Sequence, residues 1–338
     1  MDVDITLELL PDARCHVTVG AEAQFEMEGW GDLPITNGSA GLDISSPKSG
    51  ELKFDVSGSV TFSESGLDAI PEEISMMNAD MINSLIVLAG IEGQSLSEIL
   101  PGIWTMIPGV GETEIPPEVE DIVIESLRFT KFSWSEPKLE ADLTTTLSGS
   151  IFESEELRDE LPVTIDGSID MSETSISLTV EASSETVEFT LGVDLTVEDT
   201  TAVMELTFDG YFKLPVVGDQ VQFGLEVPGM DIPGLESFIN LENLGELLAQ
   251  YGIDFTLKVP EDASVGGLPP GYSQAGNVYT WSGVNVAGAL DMVLTGGVQP
   301  NITYGHEAPP SEFPWLVVGV LVVVIVAIAA TVVVLRRR

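Results

Sequence analysis

The chain has 338 residues and carries 55 Asp and Glu against 12 Lys and Arg, a formal net charge of −43. Because nucleic-acid binding depends on Lys and Arg that neutralise phosphates, we expect no nucleic-acid partner. The hydrophobic fraction of 44% suits a folded core, so the acidity does not indicate disorder. The single cysteine, Cys15, excludes an intrachain disulfide, and the fold must be stabilised by its core.

Alternation of apolar and polar residues dominates the chain from its start. Over 15–27, apolar residues occupy the odd positions and polar, acidic residues mostly the even ones, a period that predicts a strand with one buried and one wet face. The same pattern predicts strands at 3–9, 52–62, 123–134, 139–147, 163–171, 176–182, 187–197, 204–214, 221–227, 255–259, 278–281 and 287–294. Short turns separate many of them, which favours antiparallel pairing.

Two stretches follow a helical period instead. The first runs from Pro71 to Leu100 with Gly90 as a stop, and the second from Pro233 to Tyr251. We therefore predict a mainly β (α+β) fold of long antiparallel amphipathic strands with two helices. The helices suggest two similar β-plus-helix halves, 1–108 and 118–298, which could form one continuous ectodomain.

The C-terminal region has the composition of a membrane anchor. Residues 315–335 are 21 uncharged residues, which as a helix span about 31 Å, the thickness of a hydrocarbon core. Trp315 supplies an interfacial aromatic, and Arg336, Arg337 and Arg338 form a basic tail. A transmembrane helix is therefore predicted, preceded by a Pro-containing stalk at 299–314 and followed by a cytoplasmic tail.

The basic tail places the N-terminal region outside the cell, in a single-pass cell-membrane protein. The chain begins without the basic and apolar regions of a leader. Two readings remain open: a leader removed from the mature chain, which we favour, or a tail-anchored protein with its bulk in the cytoplasm. The sequons at Asn37 and Asn301 are candidate glycosylation sites and agree with the outside location.

Catalytic motifs are missing from the sequence. Cys15 and His16 cannot form a dyad, because neighbours on a strand point to opposite faces, and Cys15 falls on the apolar parity. No metal-binding or phosphate-binding motif is present, so we predict no metal and no cofactor. A pair of carboxylates among the 55 acids is the one catalytic arrangement that stays open, and it would imply a hydrolase.

The leading hypothesis is a non-enzymatic surface protein with a binding or structural role in a cell envelope, which would self-associate or bind envelope partners. The alternative is an ectodomain that binds a lipid or another apolar ligand near the bilayer, since Met suits adaptable apolar surfaces. The candidate pocket residues for that alternative are Met76, Met77, Met81, Ile82 and Phe238.

Overall fold

A computed structural model describes residues 2–12, 14–26, 34–68, 70, 74, 76–98, 121–153, 161–184, 187–198, 200–213, 216–217, 220–221, 252–294 and 300–304. The predicted helix at 233–251, the stalk beyond residue 304, the span at 315–335 and the basic tail lie outside these residues. Contacts divide the chain into two compact units. We call Met1–Glu28 with Thr186–Arg338 the split unit and Gly29–Glu185 the inserted unit.

Strands make up most of the described elements. In chain order they are β1 (Asp2–Leu9), β2 (Arg14–Glu26), β3 (Ile35–Ser45), β4 (Glu51–Phe62), β5 (Val123–Ser135), β6 (Lys138–Ser148), β7 (Val163–Met171), β8 (Ser175–Ser183), β9 (Val187–Glu198), β10 (Thr201–Lys213), β11 (Val216–Val217), β12 (Gln220–Val221), β13 (Gly252–Lys258), β14 (Ser264–Gly266), β15 (Ser273–Ala275), β16 (Val278–Ser282) and β17 (Asn301–Thr303). The α-helices are α1 (Glu64–Leu67), α2 (Ala79–Ala89) and α3 (Val286–Leu294), with 3-10 turns at Ser150–Glu153 and Gly283–Asn285. The prediction of a mainly β fold is confirmed.

The split unit contains strands in the order β15-β16-β13-β1-β2-β10-β9, and a small sheet in the order β11-β12-β17-β14. Strands β1 and β13 pair in parallel, whereas the other described pairings of this unit are antiparallel. The expectation of antiparallel strands throughout is therefore wrong at this one pairing. Parallel pairing is available to β1 and β13 because they come from distant parts of the chain and are not joined by a hairpin.

The core of the split unit lies on the apolar face of these strands. One register row crosses six strands and contains Leu191, Phe208, Val19, Ile5, Phe255 and Trp281. Five of the six are buried, with Phe255 1% and Trp281 0% exposed. Burial of large apolar side chains is the main stabilising term of such a sheet.

Helix α3 contacts β13 and β16 in the same unit. The prediction of a strand at 287–294 is wrong. Val286, Ala289 and Met292 are fully buried, and their spacing of three residues follows one helix face. The short run of apolar residues is compatible with both the strand period of two and the helix period of about 3.6. Packing against the sheet favours the helix.

The inserted unit contains strands in the order β8-β7-β3-β4-β6-β5, with antiparallel pairing between the described neighbours. Strand β3 was not predicted, because Gly38, Ser39, Ala40 and Gly41 interrupt its apolar alternation. Among the described residues of this unit, a compact buried cluster lies at one end of the sheet. It contains Leu52, Ile122 and Phe152, with Phe54, Leu96, Leu147 and Leu161 packed against it.

Helix α2 covers part of the edge strand β5. Asn78 caps its start by accepting a hydrogen bond from the Met81 backbone N–H, and Gly90 ends it in the left-handed conformation at φ 65°. The predicted stop at Gly90 is confirmed, but α2 itself begins only after Asn78. Among the helices of the described residues, none has both the length and the apolar composition needed to cross a bilayer.

Candidate functional site

The apolar face of the inserted unit carries a row of small residues across four adjacent strands. In register order this small-residue row contains Gly167, Ala40, Gly58 and Ala141, from β7, β3, β4 and β6. Larger side chains end the row on both sides, Val180 on β8 and Phe132 on β5. At about 4.8 Å between strands, the four positions and their margins extend about 20 Å.

Two rows of larger apolar side chains flank the small-residue row. One contains Leu178, Ile169, Val60, Leu139 and Trp134, with Gly38 at the β3 position. The other contains Ala182, Ile165, Leu42, Val56, Leu143 and Phe129. Because most flanking side chains are longer than those of the middle row, the three rows outline a shallow furrow, interrupted at Gly38 and Ala182 and here called the apolar groove. No charged residue belongs to any of the three rows.

The apolar groove is partly accessible in the described structure. Ala40 and Val56 are exposed, Ala182 is buried, and the other residues of the three rows are partly buried. A Cβ atom added at Gly58 would meet only backbone oxygens of Ser39 and Ala141, at 3.7 and 3.8 Å. At Gly167 the corresponding contacts are the oxygens of Ala40 and Thr179. Both sets are ordinary contacts with neighbouring strands, so the groove has room for added atoms.

The helical elements described in this unit lie at the margins of its sheet. Helix α2 contacts β5, while α1 and the turn at Ser150–Glu153 contact β4. The apolar face of the split unit differs, since its central row is buried almost throughout. A partly accessible apolar face over six strands is a candidate binding surface.

The opposite face of the inserted unit is polar and contains a small charge network. Glu140 on β6 bridges Lys131 on β5 and Lys138 on its own strand, each at 2.8 Å. These two ammonium groups lower the pKa of Glu140 from 4.5 to about 2. Carboxylates with lowered pKa values stay ionised at neutral pH and are poorly suited to act as general acids.

This network predicts a pH-dependent effect of Glu140→Gln. A carboxyl with a depressed folded-state pKa stabilises the fold above its unfolded value of 4.5, and this contribution is lost as pH falls towards 2. The variant should therefore unfold at a lower temperature than the wild type at pH 7, and the two should converge near pH 2. Circular dichroism melts across this range measure the difference. Glu181→Gln, an exposed position on the same face, is the control; a difference that persists unchanged at pH 2 would contradict the assignment.

The predicted pocket residues do not belong to the apolar groove. Met76 and Met81 are 67% and 50% exposed, whereas Met77 and Ile82 are partly buried. Met81 and Ile82 lie on α2. Phe238 lies outside the described residues. The sequence did contain a trace of the groove: the apolar alternation of β4 and β7 skips one position in each strand, at Gly58 and Gly167.

The two predicted glycosylation sites occupy exposed strand positions. Asn37 lies on β3 and Asn301 on β17. The amide oxygen of Asn301 accepts hydrogen bonds from the Gln220 side chain at 2.8 Å and from the Thr303 hydroxyl at 3.1 Å. Trp315 and Arg336 to Arg338 lie outside the described residues.

Cys15 and His16 point to opposite faces of β2, as predicted. Cys15 is 1% exposed, and burial raises the pKa of its thiol. His16 stacks on Tyr211 with the ring centroids 4.3 Å apart, and its Nε2 lies 3.1 Å from Asp209 Oδ1. The thiol is therefore poorly reactive, and the pair forms no catalytic dyad.

A depression of about 590 Å³ lies on the acidic face of the split unit. Its lining comprises Gln24, Asp194, Thr196, Glu198, Thr200, Thr201, Val203 and Glu205. No group of three or more His, Cys, Asp or Glu side chains in the described part of the chain is arranged to hold a metal ion.

Comparison with known proteins adds no family assignment. No protein-family model matches the chain, and a search of curated proteins gives no match.

Proposed function

We propose that this protein is a non-enzymatic, membrane-anchored surface protein that binds a lipid acyl chain in the apolar groove of its inserted unit. The observation that carries the proposal is the accessible small-residue row between two rows of larger apolar side chains. Burying each methylene of an acyl chain there would contribute about 0.8 kcal/mol. A length of about 20 Å is suited to an extended chain.

The charge distribution supports a ligand with an apolar body. The three rows of the groove contain no charged residue, although 20% of the chain is charged. A polar headgroup would consequently lie beyond the groove, in contact with water, because an unpaired polar group buried there would cost several kcal/mol. The groove selects for chain shape and hydrophobicity rather than for headgroup chemistry.

The cellular setting remains part of the proposal. The 21 uncharged residues at 315–335 and the arginines that follow support a single span with the N-terminal region outside the cell. An anchored protein of this kind stays beside a reservoir of acyl chains. A structural envelope role is the second candidate, in which a partner protein and not a lipid would cover the groove.

Filling the groove tests this function. Gly58→Val places a branched side chain in the small-residue row, and its Cβ would have no neighbour nearer than 3.7 Å. Valine also favours a strand over glycine. We expect the variant to fold at least as stably as the wild type. Its affinity for a diazirine-labelled fatty acid should fall by about tenfold or more, which corresponds to the loss of two buried methylenes.

Ser57→Val is the matched control, because Ser57 is the adjacent residue of β4 and points to the opposite, polar face. It should cross-link to the fatty acid like the wild type. Peptide mapping should place the cross-links on β3, β4, β6 and β7. Equal labelling of the Gly58→Val variant and the wild type would refute the groove as the ligand site.

A further inference from the structure

Helix α2 is apolar on both sides. Residues 81–91 include no charged side chain. On one side Ile86 is buried, and the Asn83 amide bonds both backbone groups of Phe129 on β5, donating at 2.9 Å and accepting at 2.8 Å. On the other side Met81, Leu85 and Leu88 are 50, 57 and 82% exposed. A helix that is hydrophobic all round is normally covered on both sides, so this second side is suited to another apolar contact.

The exposed side forms a continuous stripe. Met81, Leu85 and Leu88 follow the i, i+4, i+7 spacing of one helix face. We call these three residues the α2 stripe. Two further exposed apolar residues lie close to it, Met76 at 67% and Val87 at 70%. An apolar stripe of this kind enters the boundary between headgroups and acyl chains when a helix lies on a membrane.

A cation is adjacent in sequence to the residue at which α2 is attached to β5. Arg128 directly precedes Phe129, the residue to which Asn83 fastens the helix. Arg128 is exposed, and it makes no ion pair with another described residue. In a chain with only 12 cations, an exposed arginine on the strand that holds this largely apolar helix is suited to contact lipid phosphates.

We propose that the α2 stripe docks on the surface of a lipid bilayer, with Arg128 at the level of the phosphates. This inference rests on the proposed function, because the anchor keeps the chain at the membrane. Asp80 in the first turn of α2 and Glu92 just after the helix favour a zwitterionic over an anionic surface. A second copy of the chain is a poorer occupant, since two chains of net charge −43 repel each other. Docking would hold the inserted unit against the source of its ligand.

Fluorescence quenching in vesicles tests the docking on the full chain. Cys15 is buried, so Leu88→Cys creates one accessible thiol for an NBD label. The chain is reconstituted into phosphatidylcholine vesicles that contain lipids with a doxyl group at acyl carbon 5 or carbon 12. Because interfacial helices enter only about 5–10 Å, we expect the 5-doxyl lipid to quench about half or more of the emission and the 12-doxyl lipid to quench less.

Thr174→Cys is the control position, since Thr174 lies in the exposed turn between β7 and β8 on the far side of this unit's sheet. Its label should be quenched several-fold less. Adding Leu85→Gln and Arg128→Gln to the Leu88→Cys chain should reduce quenching at residue 88 by about threefold or more, through lost apolar burial and a lost phosphate contact.

Three outcomes would overturn the docking. Equal quenching at residues 88 and 174 would show that the α2 stripe does not enter the bilayer. If the NBD labels on different chains quench one another, and this self-quenching rises with the amount of protein per vesicle, the α2 stripe contacts a second copy of the chain instead. A chain that does not float with vesicles after alkaline washing would refute the anchor itself, whereas a floating chain with an unquenched label refutes only the docking and leaves the groove to be tested by Gly58→Val.

Discussion

Replacing Trp281 with alanine is expected to lower the free energy of unfolding by about 3–5 kcal/mol. Trp281 on β16 is 0% exposed, and its indole packs against Phe255 at 5.7 Å and Tyr272 at 5.5 Å between ring centroids. Its Nε1–H donates a hydrogen bond of 3.0 Å to the Pro269 carbonyl. The substitution leaves a large cavity and an unpaired buried carbonyl, and each of these destabilises the fold.

Urea unfolding followed by circular dichroism measures this loss. Val284→Ala is the control, because Val284 lies three residues away and is 66% exposed, so its change should stay within about 0.5 kcal/mol. Trp281→Phe should recover part of the lost stability by refilling the cavity while leaving the Pro269 carbonyl without its donor. A loss below about 1 kcal/mol for Trp281→Ala would place Trp281 outside the core.

The second large effect is expected for Gly210→Val on β10. A Cβ at Gly210 would lie 2.9 Å from each of three phenylalanine atoms, in Phe189, Phe208 and Phe212. These rings stack in series, with centroids 5.7 Å apart for Phe189 and Phe208 and 6.0 Å for Phe208 and Phe212. Overpacking of such a core typically costs about 1–3 kcal/mol, and a valine adds two methyl groups beyond the clashing Cβ.

Gly20→Val provides a contrast for Gly210→Val within the same sheet. Gly20 lies on β2, the strand next to β10, and points to the polar face, where a Cβ would have nothing within 4 Å. Since valine favours strands and restricts the unfolded chain, this variant should be neutral or slightly more stable. Comparing the two unfolding midpoints separates the packing effect from the loss of a glycine. Equal midpoints would show that the three rings can move aside.

Period-two alternation predicted most of the long strands, because a strand with one buried face leaves that signature directly in the sequence. It failed at β3, whose apolar face carries Gly38 between Val60 and Ile169, and Ala40 between two glycines, Gly58 and Gly167. It also failed at α3, whose nine residues are mostly small or apolar and fit either period. In both places the structure depends on tertiary packing, which the local sequence pattern does not reveal.

The apolar groove could not be predicted from the sequence because it depends on register. Gly58 and Gly167 are visible as gaps in two alternating runs, but only the pairing of β4 and β7 with β3 and β6 aligns them with Ala40 and Ala141. A shift of one residue in any pairing would send a row member to the polar face. The methionines in and before α2, by contrast, are visible in the sequence, because composition is a local property.

Native mass spectrometry of residues 1–310, before and after organic extraction, tests the ligand-binding claim most directly. Protection of Cys15 from thiol reagents serves as the check that the shortened chain is folded, since this thiol is buried. The account predicts a discrete lipid-sized mass that is lost on extraction and is missing from the Gly58→Val variant. A bare mass equal to the chain or to a defined multiple of it, before any extraction, would contradict it.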